Sequence, residues 1–155
     1  MGKEEYLAYL EELKETLGRL VEIQNRKVKA VRAHDLEQLD ECMKQEQAIS
    51  LSLRGMEHRR DKLTQELGLK GVPLREVPRR CPAESYGAVS QVVEDILRQN
   101  QLLRSAQKAA RTIMEKELRA VNRELERQGV DVGGGENYPS PSGQALHGMH
   151  TDFRA

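Results

Sequence analysis

The sequence predicts an all-α protein: a long antiparallel helical hairpin, a longer third helix and a disordered C-terminal tail, arranged as a three-helix, coiled-coil-like bundle. Apolar residues recur at alternating steps of three and four through three long segments, which is the period of an amphipathic helix. The composition agrees, because 37% of the residues are apolar, 3% are aromatic and 32% are charged. Long helices with a narrow apolar seam have such a composition.

The first two segments predict the hairpin. One helix covers about residues 4–33, and its seam contains Leu10, Leu13, Leu17, Leu20, Gln24, Val28 and Val31. The other covers about 36–67, with a seam of Leu36, Leu39, Met43, Glu46, Ile49, Leu53, Met56, Arg60, Leu63 and Leu67. The two seams are out of phase, so the chain turns between them, with Asp35 as the N-cap of the second helix and Gln38 as its capping-box partner. So short a turn makes the helices antiparallel neighbours.

A proline-rich loop over 68–84 separates this hairpin from a third helix predicted over about 85–128. The seam of that helix contains Val89, Val93, Ile96, Asn100, Leu103, Gln107, Ala110, Met114, Glu117, Val121 and Leu125. Glycine, proline and polar residues dominate 129–155, so this stretch is predicted to be a flexible tail outside the helical domain of residues 1–128.

Several classes of function are disfavoured. The 25 basic and 25 acidic residues cancel, so neither nucleic acid nor an anionic membrane is an expected partner. No long apolar run or signal-like segment occurs, and we expect a cytoplasmic protein with no membrane insertion. Cys42 and Cys81 lack zinc spacing and are expected to be reduced thiols. His147 and His150 lack further ligands, so no metal or cofactor is predicted.

No catalytic constellation can be assembled either, and the sequence does not predict an enzyme. The serines have no histidine and carboxylate in a defensible arrangement, and the glycines of 133–135 lack the features of a phosphate loop. Four polar residues within the seams could line a site, but such residues more often fix register in bundles. These four residues are Glu46, Arg60, Asn100 and Gln107.

Helix length suggests one interaction site. At about 1.5 Å per residue, the first two helices are roughly 45 to 48 Å long and the third is roughly 63 Å long. About ten residues of the third helix should therefore project beyond the hairpin unless the proline-rich loop covers them. Exposed apolar stripes usually mark partner sites, and a helix laid along such a stripe is a standard recognition mode.

Several short stretches follow one another in a distinctive order. They are residues 33–39, 44–47, 57–63 and 67–69 around the second helix, residues 98–103 of the third helix, and Asn137 and Tyr138 followed by Gly143. Together these stretches resemble FlgN-type flagellar export chaperones over nearly the whole chain. The first four are similar to the central hairpin of that family, the fifth to its third helix with an internal asparagine, and the last to its tail. The chain departs from the family pattern in its proline-rich insertion at 72–82 and its glycine linker at 133–135.

The resemblance implies a chaperone that binds the C-terminal helical segments of hook-associated proteins, prevents their premature assembly and delivers them to the flagellar export apparatus. Tyr138 and Gly143 would then contact that apparatus. The length argument places the client on the apolar face of the third helix, where the contact candidates are Leu102, Ala106, Ala109, Ile113, Leu118, Val121 and Leu125. Two alternatives are a structural coiled-coil scaffold and a helical nucleic-acid-associated module.

Overall fold

The computed structural model describes residues 2–129. They form three long helices, α1 (Gly2–Arg32), α2 (Leu36–Glu66) and α3 (Ala83–Arg127), and a short 3₁₀ helix (Leu74–Arg80) between α2 and α3. No strand occurs within these residues, and the predicted all-α class with its long helices is confirmed. The predicted tail lies, apart from Gly129, outside the described residues.

Helix α1 is the centre of the bundle. It packs against α2 on one side and against α3 on the other, whereas α2 and α3 make little or no direct contact. Its buried residues therefore cover a wide arc: Tyr6, Tyr9, Leu10, Leu13, Thr16, Leu17, Leu20, Ile23, Gln24, Ala30 and Val31. Helix α2, which has a neighbour on one side only, fully buries just Cys42, Met56 and Leu63.

Contacts between side chains fix the direction of each helix. Thr16 donates to the Met56 sulfur at 3.9 Å, and Lys27 contacts Glu46 at 2.8 Å, so α2 runs antiparallel to α1. Helix α3 runs parallel to α1, because the Lys14 ammonium lies 3.9 Å from the Asp95 carboxylate. One turn further along, Gly18 faces Gln99.

The turn between α1 and α2 combines two capping devices. The Asp35 carboxylate accepts the Gln38 backbone N–H at 3.0 Å, which confirms the predicted N-cap. The Gln38 side chain, however, is directed to the Cys42 sulfur at 3.8 Å, so the reciprocal half of the predicted capping box is not formed. His34 ends α1 with φ +55°, while the Asp35 N–H donates to the Ala30 carbonyl at 2.9 Å, as in a Schellman motif.

The connection from α2 to α3 closes the opposite end of the bundle. Gly68 ends α2 with φ +69°, and the Leu69 N–H donates to the Thr64 carbonyl. Leu69 and Val77 are buried in the same core cluster as Tyr6, near the beginning of α1. The segment predicted as a loop over 68–84 therefore contains a 3₁₀ helix, and it packs beside the start of α3 rather than its end.

The prediction was wrong for one seam residue of the hairpin, Leu36. Leu36 is 77% exposed, although its spacing placed it in the apolar seam of α2. It is the first residue of α2, directly after the turn, so α1 has no further residues to cover it. The seam residues Leu39 and Leu53 are half-buried, whereas Leu63 is buried, because only the inner edge of α2 meets α1.

Candidate functional site

The end of α3 has no neighbour within the bundle. Residues 14 and 95 face each other, as do 18 and 99, so α1 and α3 run side by side with an offset of 81 positions. By this register the end of α1 at Arg32 is level with about residue 113 of α3. Helix α3 continues to Arg127, which leaves an overhang of about 14 residues, or about 21 Å. Ala110 is its last buried residue.

In the overhang, the side of α3 that packs on α1 continues as an apolar surface. A helix turns about 100° per residue, so Val121 and Leu125 point within about 60° of the buried Leu103 and Ala110, and Leu118 points within about 80° of them. We call Met114, Leu118, Val121 and Leu125 the distal face. Leu118 is 60% exposed and Val121 is 52% exposed, whereas Met114 and Leu125 are half-buried. The distal face is thus core-type helix surface with nothing packed on it among residues 2–129.

The other four contact candidates lie elsewhere on α3. Leu102, Ala106, Ala109 and Ile113, here called the flank face, point about 120° away from the distal face by helical geometry. Leu102 is 48% exposed, Ala109 is exposed, and the other two are half-buried. The seven candidates therefore lie on two faces of α3, more than a single straight helix would cover, and their role in client binding stays a prediction.

The distal face has charged edges. Glu117 and Glu124 lie along one edge by helical geometry, and Arg111 lies beside Leu118 on the other. Glu124 is paired with Arg127 at 3.5 Å. An amphipathic helix lying here would meet carboxylates on one side and a guanidinium on the other.

Two residues of this end were missed as contact candidates. Met114 belongs to the predicted seam, and its spacing of four from both Ala110 and Leu118 was the signal that could have identified it. Leu36, at the turn on the same end of the bundle, was assigned to the core instead. Met114 adapts readily to different partners because its side chain is unbranched and polarizable.

The polar residues of the seams lie at or near the contacts between helices. Glu46 accepts from Lys27, and these side chains are only 14% and 12% exposed. Gln24 is 1% exposed, and its amide nitrogen has no hydrogen-bond partner among the described residues. Asn100 and Gln107 are half-buried on α3. Arg60 is half-buried and lies 3.4 Å from Asp61. The shielded Lys27–Glu46 pair joins α1 to α2, which favours the interpretation that polar seam residues fix register.

Two titratable groups at the other end are perturbed by burial. Burial raises the pKa of the Tyr6 phenol to about 12, with a smaller contribution from Cys81. Burial also raises the pKa of the Cys81 thiol, while Lys3 lowers it slightly. A raised pKa keeps a thiol protonated and poorly nucleophilic, so this environment does not activate Cys81.

Other kinds of site are not evident in the described part of the chain. Within residues 2–129, no three histidine, cysteine, aspartate or glutamate side chains converge as metal ligands would. None of the helices in this range has a stretch apolar enough to cross a bilayer. The two candidates for contact with the export apparatus, Tyr138 and Gly143, and the histidines His147 and His150 lie outside the described residues.

Comparison with known protein families agrees with the resemblance noted in the sequence. Searches against curated proteins and against solved structures gave no significant match. The sequence model of the FlgN protein family, in contrast, matches residues 1–145, which is nearly the whole chain. This protein therefore belongs to the FlgN family, and its general role is that of a chaperone in flagellum biogenesis.

Proposed function

We propose that this protein is a cytoplasmic export chaperone that binds the C-terminal helical segments of hook-associated proteins, prevents their premature assembly and delivers them to the flagellar export apparatus. The family assignment supports the general role. The observation that carries the client site is the distal face, where α3 presents core-type apolar residues beyond the end of α1. The client helix takes the place that a longer α1 would occupy.

The energetics favour such a client. Burying a large aliphatic side chain contributes about 1.5 to 3 kcal/mol, and Leu118 and Val121 each have about half of that still to gain. Leu125 and Met114 add smaller amounts because they are half-buried already. The edges set the orientation: basic client residues would face Glu117 and acidic ones Arg111.

The flank face suits a second client segment. Ala106 and Ala109 have small side chains that allow a neighbouring helix to approach closely, and Ile113 offers an apolar anchor at the level where α1 ends. Because the flank face points away from the distal face, a client with two helical segments could bind one segment on each face of α3. Both surfaces remain accessible since α2 lies across α1 from them.

Calorimetric titration of the full chain with the C-terminal segment of a hook-associated protein tests the site. Leu118→Asp and Val121→Asp should each weaken binding about tenfold or more, because the client would bury an unpaired charge. Leu51→Asp is the matched control, since Leu51 is 65% exposed on α2, which makes little or no direct contact with α3. Ile113→Asp tests the flank face separately.

Unchanged affinity in folded Leu118→Asp and Val121→Asp proteins would place the client elsewhere. The scaffold alternative makes a different prediction for the same proteins. If the distal face pairs with a second copy of the chain, the molar mass of the wild type rises with concentration and that of Leu118→Asp does not. Sedimentation equilibrium measures this without any client.

The tail is assigned to delivery. Tyr138 and Gly143 match the family's tail pattern, and we assign them to contact with the export apparatus. Truncation after Gln128 should therefore leave client affinity unchanged and abolish secretion of the client from cells. Loss of client binding in the truncated protein would show that the tail belongs to the client site instead.

A further inference from the structure

The connection between α2 and α3 is long for a helical bundle. About 16 residues lie between the end of α2 at Glu66 and the start of α3 at Ala83, whereas helices in bundles are usually joined by about two to eight. Long ordered connections that are retained in small proteins commonly carry function.

The connection holds a dense group of cations. Lys70, Arg75, Arg79 and Arg80 are all exposed, and Glu76 is the one acidic residue between them. None of the four forms an ion pair with a described residue, although many lysines and arginines of the helices do. We call these four residues the basic cap.

The backbone that carries the basic cap is anchored by buried side chains. Val77 is 2% exposed and Pro78 is buried, so the 3₁₀ helix is anchored in the core while its arginines face solvent. Leu69 anchors the preceding turn in the same way. The buried apolar residues account for the packing of this segment, whereas its arginines are exposed. Because the backbone that carries these cations is already ordered, binding there costs little loop-ordering entropy, which favours an interaction surface.

The cap and the distal face lie at opposite ends of the molecule. The cap adjoins the beginning of α3, and α3 is about 68 Å long over its 45 residues. A partner on the cap would therefore not touch a client on the distal face. Two such surfaces allow one molecule to bind a client and a second protein at once.

We propose that the basic cap docks an acidic protein surface distinct from the client. Three of its four cations are arginines, whose planar guanidinium groups pair with carboxylates through two hydrogen bonds. Glu66, Glu76 and Glu84 border the cap and would weaken attraction to a uniformly anionic membrane. A protein surface can instead place its carboxylates opposite the arginines alone. This proposal goes beyond the client site and does not depend on it.

The test uses the full chain and poly-L-glutamate as the carboxylate probe, at about 50 mM salt where screening is weak. Unlike a flat membrane, this flexible chain can place its carboxylates on the arginines and keep away from Glu66, Glu76 and Glu84. Arg75→Glu/Arg79→Glu/Arg80→Glu should weaken binding about tenfold or more. The matched control reverses three exposed cations of α3, Arg104, Lys108 and Arg119, and should bind as the wild type does. Neutral replacement of the same three cap arginines by glutamine, which perturbs folding less, should weaken binding in the same direction.

Anionic phosphatidylglycerol vesicles and a single-stranded RNA are titrated in parallel. The proposal requires that poly-L-glutamate binding depend on the cap and that binding to vesicles or RNA not depend on it. Equal loss in the cap and control variants, or no binding of poly-L-glutamate by the wild type, would overturn it. Cap-dependent binding to vesicles or to RNA would also overturn it, whether or not poly-L-glutamate binds. Client affinity should be the same in all of these variants.

Discussion

Lys27 of α1 and Glu46 of α2 form the best-shielded ion pair among the described residues, with 2.8 Å between the ammonium and the carboxylate. Their side chains are only 12% and 14% exposed. The pair lies near the turn, in the half of the hairpin where α2 buries only Cys42 fully. It therefore helps to fix the pairing of α2 with α1 where apolar contact is thin.

Removing one partner of this pair should destabilise the protein. Lys27→Met leaves the Glu46 carboxylate poorly solvated, and we expect the free energy of unfolding to fall by about 2 to 3 kcal/mol. The double variant Lys27→Met/Glu46→Leu should recover most of that loss, because an apolar pair of similar size needs no desolvation of charge. Urea denaturation of the single and double variants measures both values. A double variant as unstable as the single one would contradict this account.

Burial of the Tyr6 phenol predicts a loss of stability at high pH. The folded protein keeps this phenol protonated, with its pKa raised to about 12 from the ordinary value of 10.0, whereas the unfolded chain releases the proton near 10. The stabilisation is therefore complete below about pH 10 and falls as the pH rises towards 12, by up to about 1.4 kcal/mol per pH unit. Tyr6→Phe should remove this slope, and Tyr86→Phe, at an exposed tyrosine, should keep it. Denaturation at a series of alkaline pH values distinguishes the two variants.

The turn after α1 predicts a stabilising substitution. His34 adopts φ +55°, a conformation that costs a residue with a side chain roughly 1 kcal/mol and that glycine adopts freely. His34→Gly should raise the free energy of unfolding by about 0.5 to 1 kcal/mol, while His34→Ala should give no gain. Thermal denaturation of both variants provides the comparison. A loss of stability in His34→Gly would show that the imidazole makes a contact worth more than the strain.

The loss of stability caused by an alanine substitution should increase with the burial of the residue that is replaced. Leu20 is fully buried and Leu103 is 3% exposed, so replacing either with alanine should cost about 2 to 5 kcal/mol. Leu36→Ala should cost less than about 0.5 kcal/mol because Leu36 is 77% exposed. Chemical denaturation checks the ranking. A large loss at Leu36 would mean that this residue is covered in solution, for example by a second molecule.

Periodicity was sufficient to predict the helices and the main seams because spacing along a helix determines which residues share a face. It correctly placed Gly68 and Asp35 at helix ends, since these residue types satisfy specific backbone groups there. It could not show that α1 is central, because a one-dimensional pattern does not say which neighbours meet. For the same reason it misplaced Leu36, whose exposure depends on where its neighbouring helix ends.

The candidate site was predicted less completely. Helix lengths alone indicated an overhang on α3, but only the register between Lys14 and Asp95 gives its extent. The contact candidates were chosen because they are apolar residues of α3, without regard to their direction around the helix. They therefore include residues of both the distal face and the flank face. The basic tilt of the connection was visible in the sequence, whereas its anchoring through Val77 depends on tertiary packing.

Hydrogen exchange of the full chain, with and without the C-terminal segment of a hook-associated protein, tests the central claim most directly. In the free protein, amides of residues 114–127 should exchange fastest among the helices, because no other element packs on them within the described range. Bound client should slow their exchange about tenfold or more and leave α2 unchanged. Protection confined to α1 and α2, with 114–127 unaffected, would contradict the proposal that the client continues the path of α1 along α3.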